Sequence, residues 1–149
     1  MSKTPATRRR RRPVASEINL HMAVAAYLRR AWPAHLPWTH FPAGELRSAG
    51  TGGKLKAMGL APGWSDFIFA MPNGQAAFLE LKRAGGVLSD VQIEFREKVI
   101  ALGCGYATAR SPEEAEIVLT RWLDAYGLKP RGTMVRRPAA APLLDEARP

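Results

Sequence analysis

One hairpin constrains this chain more than any other stretch. Phe67-Ile68-Phe69-Ala70 and Ala76-Ala77-Phe78-Leu79 are apolar and β-prone, and Pro72-Asn73-Gly74 separates them as a turn. A three-residue loop suits those residues: proline presets φ at the first position, asparagine is at home in the second, and glycine supplies a left-handed third. That length makes Met71 the partner of Gln75, and counting back along both strands sets Asp66 opposite Glu80, with both side chains on one face. Lys82, two residues beyond Glu80, shares that face. A two-residue loop on Asn73-Gly74 would throw Asp66 and Glu80 to opposite faces.

Two like charges facing each other across a strand pair are destabilising unless a cation lies between them. Oxygen ligands without cysteine or histidine favour Mg²⁺ or Mn²⁺ over Zn²⁺. A lysine beside such an ion can hold a water and offset charge that develops on a phosphoryl oxygen. Glu-Leu-Lys taken alone is an ordinary exposed strand face, so the partnered Asp66 carries the weight of this reading.

The 149 residues are 46% hydrophobic and 23% charged, which suits one globular domain with a buried core. No apolar run approaches the roughly 18 residues of a membrane span, and the N-terminal arginines lack the apolar stretch of a secretory signal. Cys104 is the only cysteine, which excludes an internal disulfide and a thiolate zinc cluster and makes a cytoplasmic protein the expectation. The net charge of +9 belongs to the ends. Residues 1–13 carry Lys3 and the run Arg8, Arg9, Arg10, Arg11 and Arg12 with no acid, whereas residues 14–128 hold 11 basic and 11 acidic residues. An arginine run on a flexible arm binds phosphate through charge and counterion release, and it also has a plain explanation as a solvated tail.

The punctuation predicts the order α-β-β-β-α-β-α. Ser16 caps a first helix that runs to about Trp32, with Leu20, Val24, Tyr27, Leu28 and Ala31 as its apolar stripe and Pro33 as its stop. Glu17 in its first turn is favourable to the helix dipole. Trp38-Thr39-His40-Phe41 reads as a short strand, and residues 48–63 as a glycine-rich loop with room for a helical turn. That loop is no nucleotide-binding P-loop, because Ser48 stands where glycine is required and Leu55 where Ser or Thr is required. Ser89-Asp90-Val91-Gln92 is a capping box for a helix ending at Gly103, in which Gln92 bonds back to the Ser89 amide, and the same helix N-terminus favours an anion. Gly105-Tyr106-Ala107-Thr108-Ala109 is a further strand, and Ser111-Pro112-Glu113-Glu114 opens a last helix closed by Gly127. An α/β sandwich with a mixed sheet flanked by helices follows. Its domain spans 16–128, between a flexible basic arm at 1–15 and a flexible Pro/Ala/Arg-rich tail at 129–149. His21, His35 and His40 lack metal-ligand spacing, Cys104 has no evident base, and Trp64, Phe67, Phe69 and Phe78 are assigned to the core.

Four segments in order carry a resemblance: Gly59-Leu60-Ala61-Pro62-Gly63-Trp64-Ser65-Asp66; Phe78-Leu79-Glu80-Leu81-Lys82-Arg83; Gly86-Val87-Leu88-Ser89-Asp90-Val91-Gln92; and Gly105-Tyr106-Ala107-Thr108-Ala109-Arg110-Ser111. Together they resemble the virus-type replication-repair nuclease domain (VRR-NUC), a branch of the PD-(D/E)XK nuclease superfamily, over roughly residues 16–123. Phe41-Pro42-Ala43-Gly44-Glu45-Leu46-Arg47 resembles the family's segment before the glycine loop, with Ala43 where asparagine is expected, and Trp64-Ser65 replaces the more usual small residue and proline before the aspartate. The resemblance implies a restriction-endonuclease-like αβββαβ core and a Mg²⁺- or Mn²⁺-dependent endonuclease that hydrolyses phosphodiester bonds in DNA. It makes Asp66, Glu80 and the Leu81 backbone carbonyl metal ligands, Lys82 the catalytic lysine and Gln92 the helix glutamine near the site. Glu17 matches the acidic residue often found on the first helix and is a further candidate metal ligand. Arg8 to Arg12, Lys54, Lys56 and Arg83 are the candidate DNA-phosphate contacts. Members this small resemble phage-type enzymes that act on branched DNA, flaps or four-way junctions, as homodimers in a bacterial or phage-infected cell. A catalytically silent nucleic-acid-binding module and a sequence-specific restriction-like nuclease are the alternatives.

Overall fold

A computed structural model describes residues 17–42 and 49–134. Ser16, the arginine run, the turn around Gly44 and the chain beyond Met134 lie outside the described residues. The elements run α1 (Glu17–Ala31), β1 (Trp38–His40), α2 (Ala49–Ala57), β2 (Phe67–Ala70), β3 (Ala76–Leu81), α3 (Asp90–Ala101), β4 (Gly105–Ala109) and α4 (Pro112–Asp124). They form a mixed α/β fold on one four-stranded sheet of order β1-β2-β3-β4. The first two pairings are antiparallel. The third, β3 with β4, is parallel and is crossed by α3, since parallel neighbours cannot be joined by a tight turn. None of the helices among the described residues is long and apolar enough to cross a membrane.

The hairpin has the register that its loop requires. Phe67 pairs with Leu79 and Ala70 with Ala76. Pro72–Gly74 form a single 3-10 turn, with the Met71 amide donating to the Gln75 carbonyl at 2.9 Å. Asn73 (φ 61°) as well as Gly74 (φ 71°) is left-handed, a conformation that asparagine tolerates better than most residues. One step further back along the ladder, Asp66 falls opposite Glu80.

Period-two alternation divides the sheet into two faces. Phe67, Phe69, Leu79, Leu81 and Ala109 are fully buried with Leu20, Val24, Tyr27 and Leu28 of α1 and with Leu119 and Leu123 of α4. The apolar stripe of α1 is the one its spacing predicts. On the other face Phe78 meets Phe95 of α3 edge-on at 5.2 Å. Trp64 lies there too, against Phe95 at 4.9 Å and Phe41 at 5.7 Å. At 38% exposure it rims this smaller cluster instead of joining the main core, contrary to expectation.

Two further expectations are corrected. The glycine-rich segment is largely helix: Ala49–Ala57 completes more than two turns despite three glycines, because Lys54, Leu55, Lys56 and Ala57 are good helix formers and a strong stop follows. At that stop Gly59 (φ 97°) lets the Leu60 amide reach back to the Leu55 carbonyl at 2.9 Å, the same left-handed glycine ending that closes α3 at Gly103 and α4 at Gly127. The tail expected from Lys129 does not leave the domain at once. The Arg131 amide donates to the Ala31 carbonyl, its Nε to the Trp32 carbonyl at 3.0 Å, and Met134 is buried against the core. These contacts hold the chain through Met134 on the end of α1, where short-range patterning alone reads as a polar linker.

Candidate metal and phosphate site

The site forms where β2 begins and β3 ends. β2 stops short of pairing with Leu81, and the Asp66 side chain takes the place of the missing backbone acceptor: Leu81 N donates to Asp66 Oδ2 at 2.7 Å. In an extended strand the carbonyl points to the same side as the amide of its residue, so the Leu81 carbonyl leaves toward that edge as well. Glu80, 2% exposed, projects from the α3 face. Lys82 Nζ stands 3.0 Å from Glu80 Oε1. Gln92 Nε2 donates to that same oxygen at 2.7 Å.

Gln92 serves two ends at once. Its Oε1 accepts from the Ser89 amide at 2.9 Å, as the capping box predicts, and this fixes the amide orientation so that Nε2 faces Glu80. The capping explanation and the site role are therefore a single arrangement. The N-terminus of α3 comes this close because Gly63, at φ 88°, has no side chain: a Cβ there would stand 2.5 Å from the Val91 carbonyl oxygen.

Both donors to Glu80 use Oε1. Oε2 is shut off from solvent and has no hydrogen-bond partner among the described residues. Such an atom in a charged group is costly without a cation. Burial pushes the Glu80 carboxyl up to about 7, and the negative Asp66 adds to the rise, against the lowering effect of Lys82. Burial also raises Asp66, opposed by its bond from Leu81 and by the charges of His21, Lys82 and His40. Tyr106, on the Glu80 face of β4, is raised by burial and then by the Glu80 charge. Two carboxyls that resist ionisation side by side, one of them with an orphaned oxygen, fit a divalent cation held by oxygen donors.

The remaining expected residues divide. Glu17 is exposed at the start of α1 and is near enough that its charge adds to the rise at Glu80. Lys54 and Lys56 face solvent on α2, and Arg83 is exposed just after β3. Arg8 to Arg12 lie outside the described residues.

Two residues in the site were missed by spacing. His21 and His40, set aside for want of a ligand pattern, come together with Asp66: His21 Nδ1 is 3.2 Å from His40 Nε2, and His21 Nε2 is 3.6 Å from Asp66 Oδ2. His40 pairs with Phe67, the residue next to Asp66, and so faces α1, a placement that depends on β1 lying beside β2. Comparison with family models, with curated proteins and with solved structures finds no match to this chain.

Proposed function

We propose that this chain is a Mg²⁺- or Mn²⁺-dependent endonuclease that hydrolyses phosphodiester bonds in DNA, on a core of the restriction-endonuclease kind. The observation that carries the reading is the buried Glu80 Oε2, without a hydrogen-bond partner among the described residues, opposite Asp66 with Lys82 Nζ alongside. The VRR-NUC resemblance of the four segments supports the same residues in the same roles. A divalent cation, when bound, supplies the positive field that polarises a phosphodiester and acidifies water. Asp66, Glu80 and the Leu81 carbonyl would hold it. Lys82, brought beside the carboxylates by its i+2 position, orients the attacking water and offsets negative charge developing on the phosphoryl oxygens. Gln92 keeps Glu80 in one rotamer, so its free oxygen stays aimed at the site instead of swinging to solvent. The exposed Lys54, Lys56 and Arg83 and the arginine arm supply charge for the DNA backbone.

The substrate we infer is branched DNA, cut by a homodimer. One domain carries one Asp66-Glu80-Lys82 set, whereas symmetric resolution of a four-way junction needs two cuts related by a two-fold axis, which a two-fold dimer provides. Incubating the full chain with linear, flap and four-way junction DNA in Mg²⁺ and Mn²⁺, with light scattering at the same concentration, tests this. Paired cuts on the junction by a dimer are the expected result. A monomer that makes single nicks without preference would remove the junction reading. Cleavage of no DNA by a chain that still binds it would favour a silent binding module, and cuts confined to one base sequence a restriction-like enzyme.

The arm gives a separate expectation. If Arg8 to Arg12 contact phosphates, deleting residues 1–13 weakens binding to all DNA sequences alike and flattens the salt dependence by up to about 4.5 log units per log unit of salt, the limit for five contacts on duplex DNA. Turnover at saturating DNA should persist. An unchanged salt slope in a filter-binding or anisotropy series would take DNA binding away from the arm.

A further inference from the structure

Asp66 joins two groups of side chains that the sheet otherwise keeps apart. Glu80, Lys82 and Gln92 lie on the α3 side. On the α1 side, His21 reaches down from the helix and His40 rises from β1, and Phe67 lies against both rings at 6.1 and 5.3 Å. We propose that His21, His40 and Asp66 form a second cation position, which takes a transition-metal ion such as Mn²⁺, Co²⁺ or Zn²⁺ through imidazole nitrogen and shares Asp66 with the Glu80 side. For the ligand role of that carboxylate it rests on the nuclease reading; the two imidazoles are independent of it.

Three observations support the position. One ligand atom from each of the three residues lies within 4.8 Å of the other two. Atoms that share an ion at about 2.1 Å stand about 3.0–3.4 Å apart in adjacent positions, so contraction by roughly 1–2 Å at the widest pair is enough. Second, His21 Nε2 is cut off from solvent and has no hydrogen-bond partner among the described residues. At 3.6 Å from Asp66 Oδ2 it is too far for a hydrogen bond yet aimed at a carboxylate, which a shared cation between them would explain. Third, the rings are pre-oriented. His21 Nδ1 and His40 Nε2 stand 3.2 Å apart; with Nδ1 carrying the proton, His21 offers its Nε2 lone pair on the Asp66 side, and His40 Nε2 would exchange this contact for the ion on binding. Two imidazoles and one carboxylate are a softer set than the all-oxygen Glu80 side, and they discriminate against Mg²⁺.

The test uses the full chain and two probes. In a Zn²⁺ titration followed by imidazole nitrogen NMR, the ring signals of His21 and His40 should shift together while exposed His35 stays in place as the internal control. In a Co²⁺ titration followed by visible absorption, ligand-field bands should appear in the wild type and in E80Q, and the affinity should fall about 10-fold or more in H21A and in H40A. Rings that do not move, or equal Co²⁺ spectra and affinity in the wild type and H21A, would overturn the position. The NMR arm needs no variant, so the result stands even if H21A fails to fold. Failure here is distinct from failure of the nuclease reading: Mg²⁺-dependent cleavage with unmoved rings removes only the histidine position, and moved rings without any cleavage remove only the nuclease.

Discussion

Asp66→Asn, Glu80→Gln and Lys82→Ala should each lower cleavage of DNA by on the order of 10³-fold or more, with DNA binding retained. The reason is shared geometry. Asp66 and Glu80 stand opposite each other one step beyond the β2–β3 ladder, and Lys82 contacts Glu80 at 3.0 Å, so each substitution would strike the same proposed cation and water position. Losses of this kind do not add: the double variant Asp66→Asn/Lys82→Ala should be hardly worse than either single one. Glu17→Gln should do less, because Glu17 is exposed and its influence on Glu80 is the weakest of the charges acting there. Near-normal Mg²⁺-dependent activity in Asp66→Asn, read on end-labelled DNA, would contradict the assignment, and an effect of Glu17→Gln as large as that of Glu80→Gln would promote Glu17 to a ligand.

Without divalent ions the protein should lose stability as pH rises from about 4.5 to about 7. The Glu80 carboxyl is raised from its ordinary 4.5 to about 7 in the folded chain. Across that window the folded state therefore holds more protons than the unfolded one, and the linkage slope is negative. A rise of this size corresponds to on the order of 3 kcal/mol, present below the unfolded value and lost once pH passes the folded one. Asp66, also raised, acts in the same direction. Urea unfolding in a chelator at pH 5 and pH 8 should show the loss in the wild type and a smaller one in Glu80→Gln, which has no charge to bury. Mg²⁺ should restore wild-type stability at pH 8 and leave Glu80→Gln little changed. Stability that is flat or rises between pH 5 and pH 8 in the wild type would mean that Glu80 is not the strained acid described above.

Much of the site was legible because it is local. The register that sets Asp66 against Glu80 depends on three loop residues, Pro72-Asn73-Gly74, and on period-two counting, both carried by fewer than twenty consecutive positions. The Ser89–Gln92 cap and the stripe on α1 are equally short-range. What escaped was tertiary. His21 and His40 are brought together only when α1 lies across the sheet and β1 takes its place beside β2, which no spacing rule contains. Gln92 was readable as a cap, but its contact with Glu80 needed the close approach of α3 at Gly63. The α2 helix was hidden by its glycines, whose low propensity outweighs the rest of the segment in any local reading. Docking of the segment ending at Met134 depends on backbone partners of Arg131 at Ala31 and Trp32, about a hundred residues earlier in the chain, and on Glu116 of α4, which accepts from the Met134 amide.

The most direct test is cleavage of a four-way junction by the purified full chain in Mg²⁺, in Mn²⁺ and in a chelator, with Asp66→Asn prepared alongside. Cuts that require a divalent ion and vanish in Asp66→Asn are expected. Cuts that survive the chelator, or that Asp66→Asn makes as well as the wild type, would contradict a metal-dependent nuclease built on Asp66, Glu80 and Lys82.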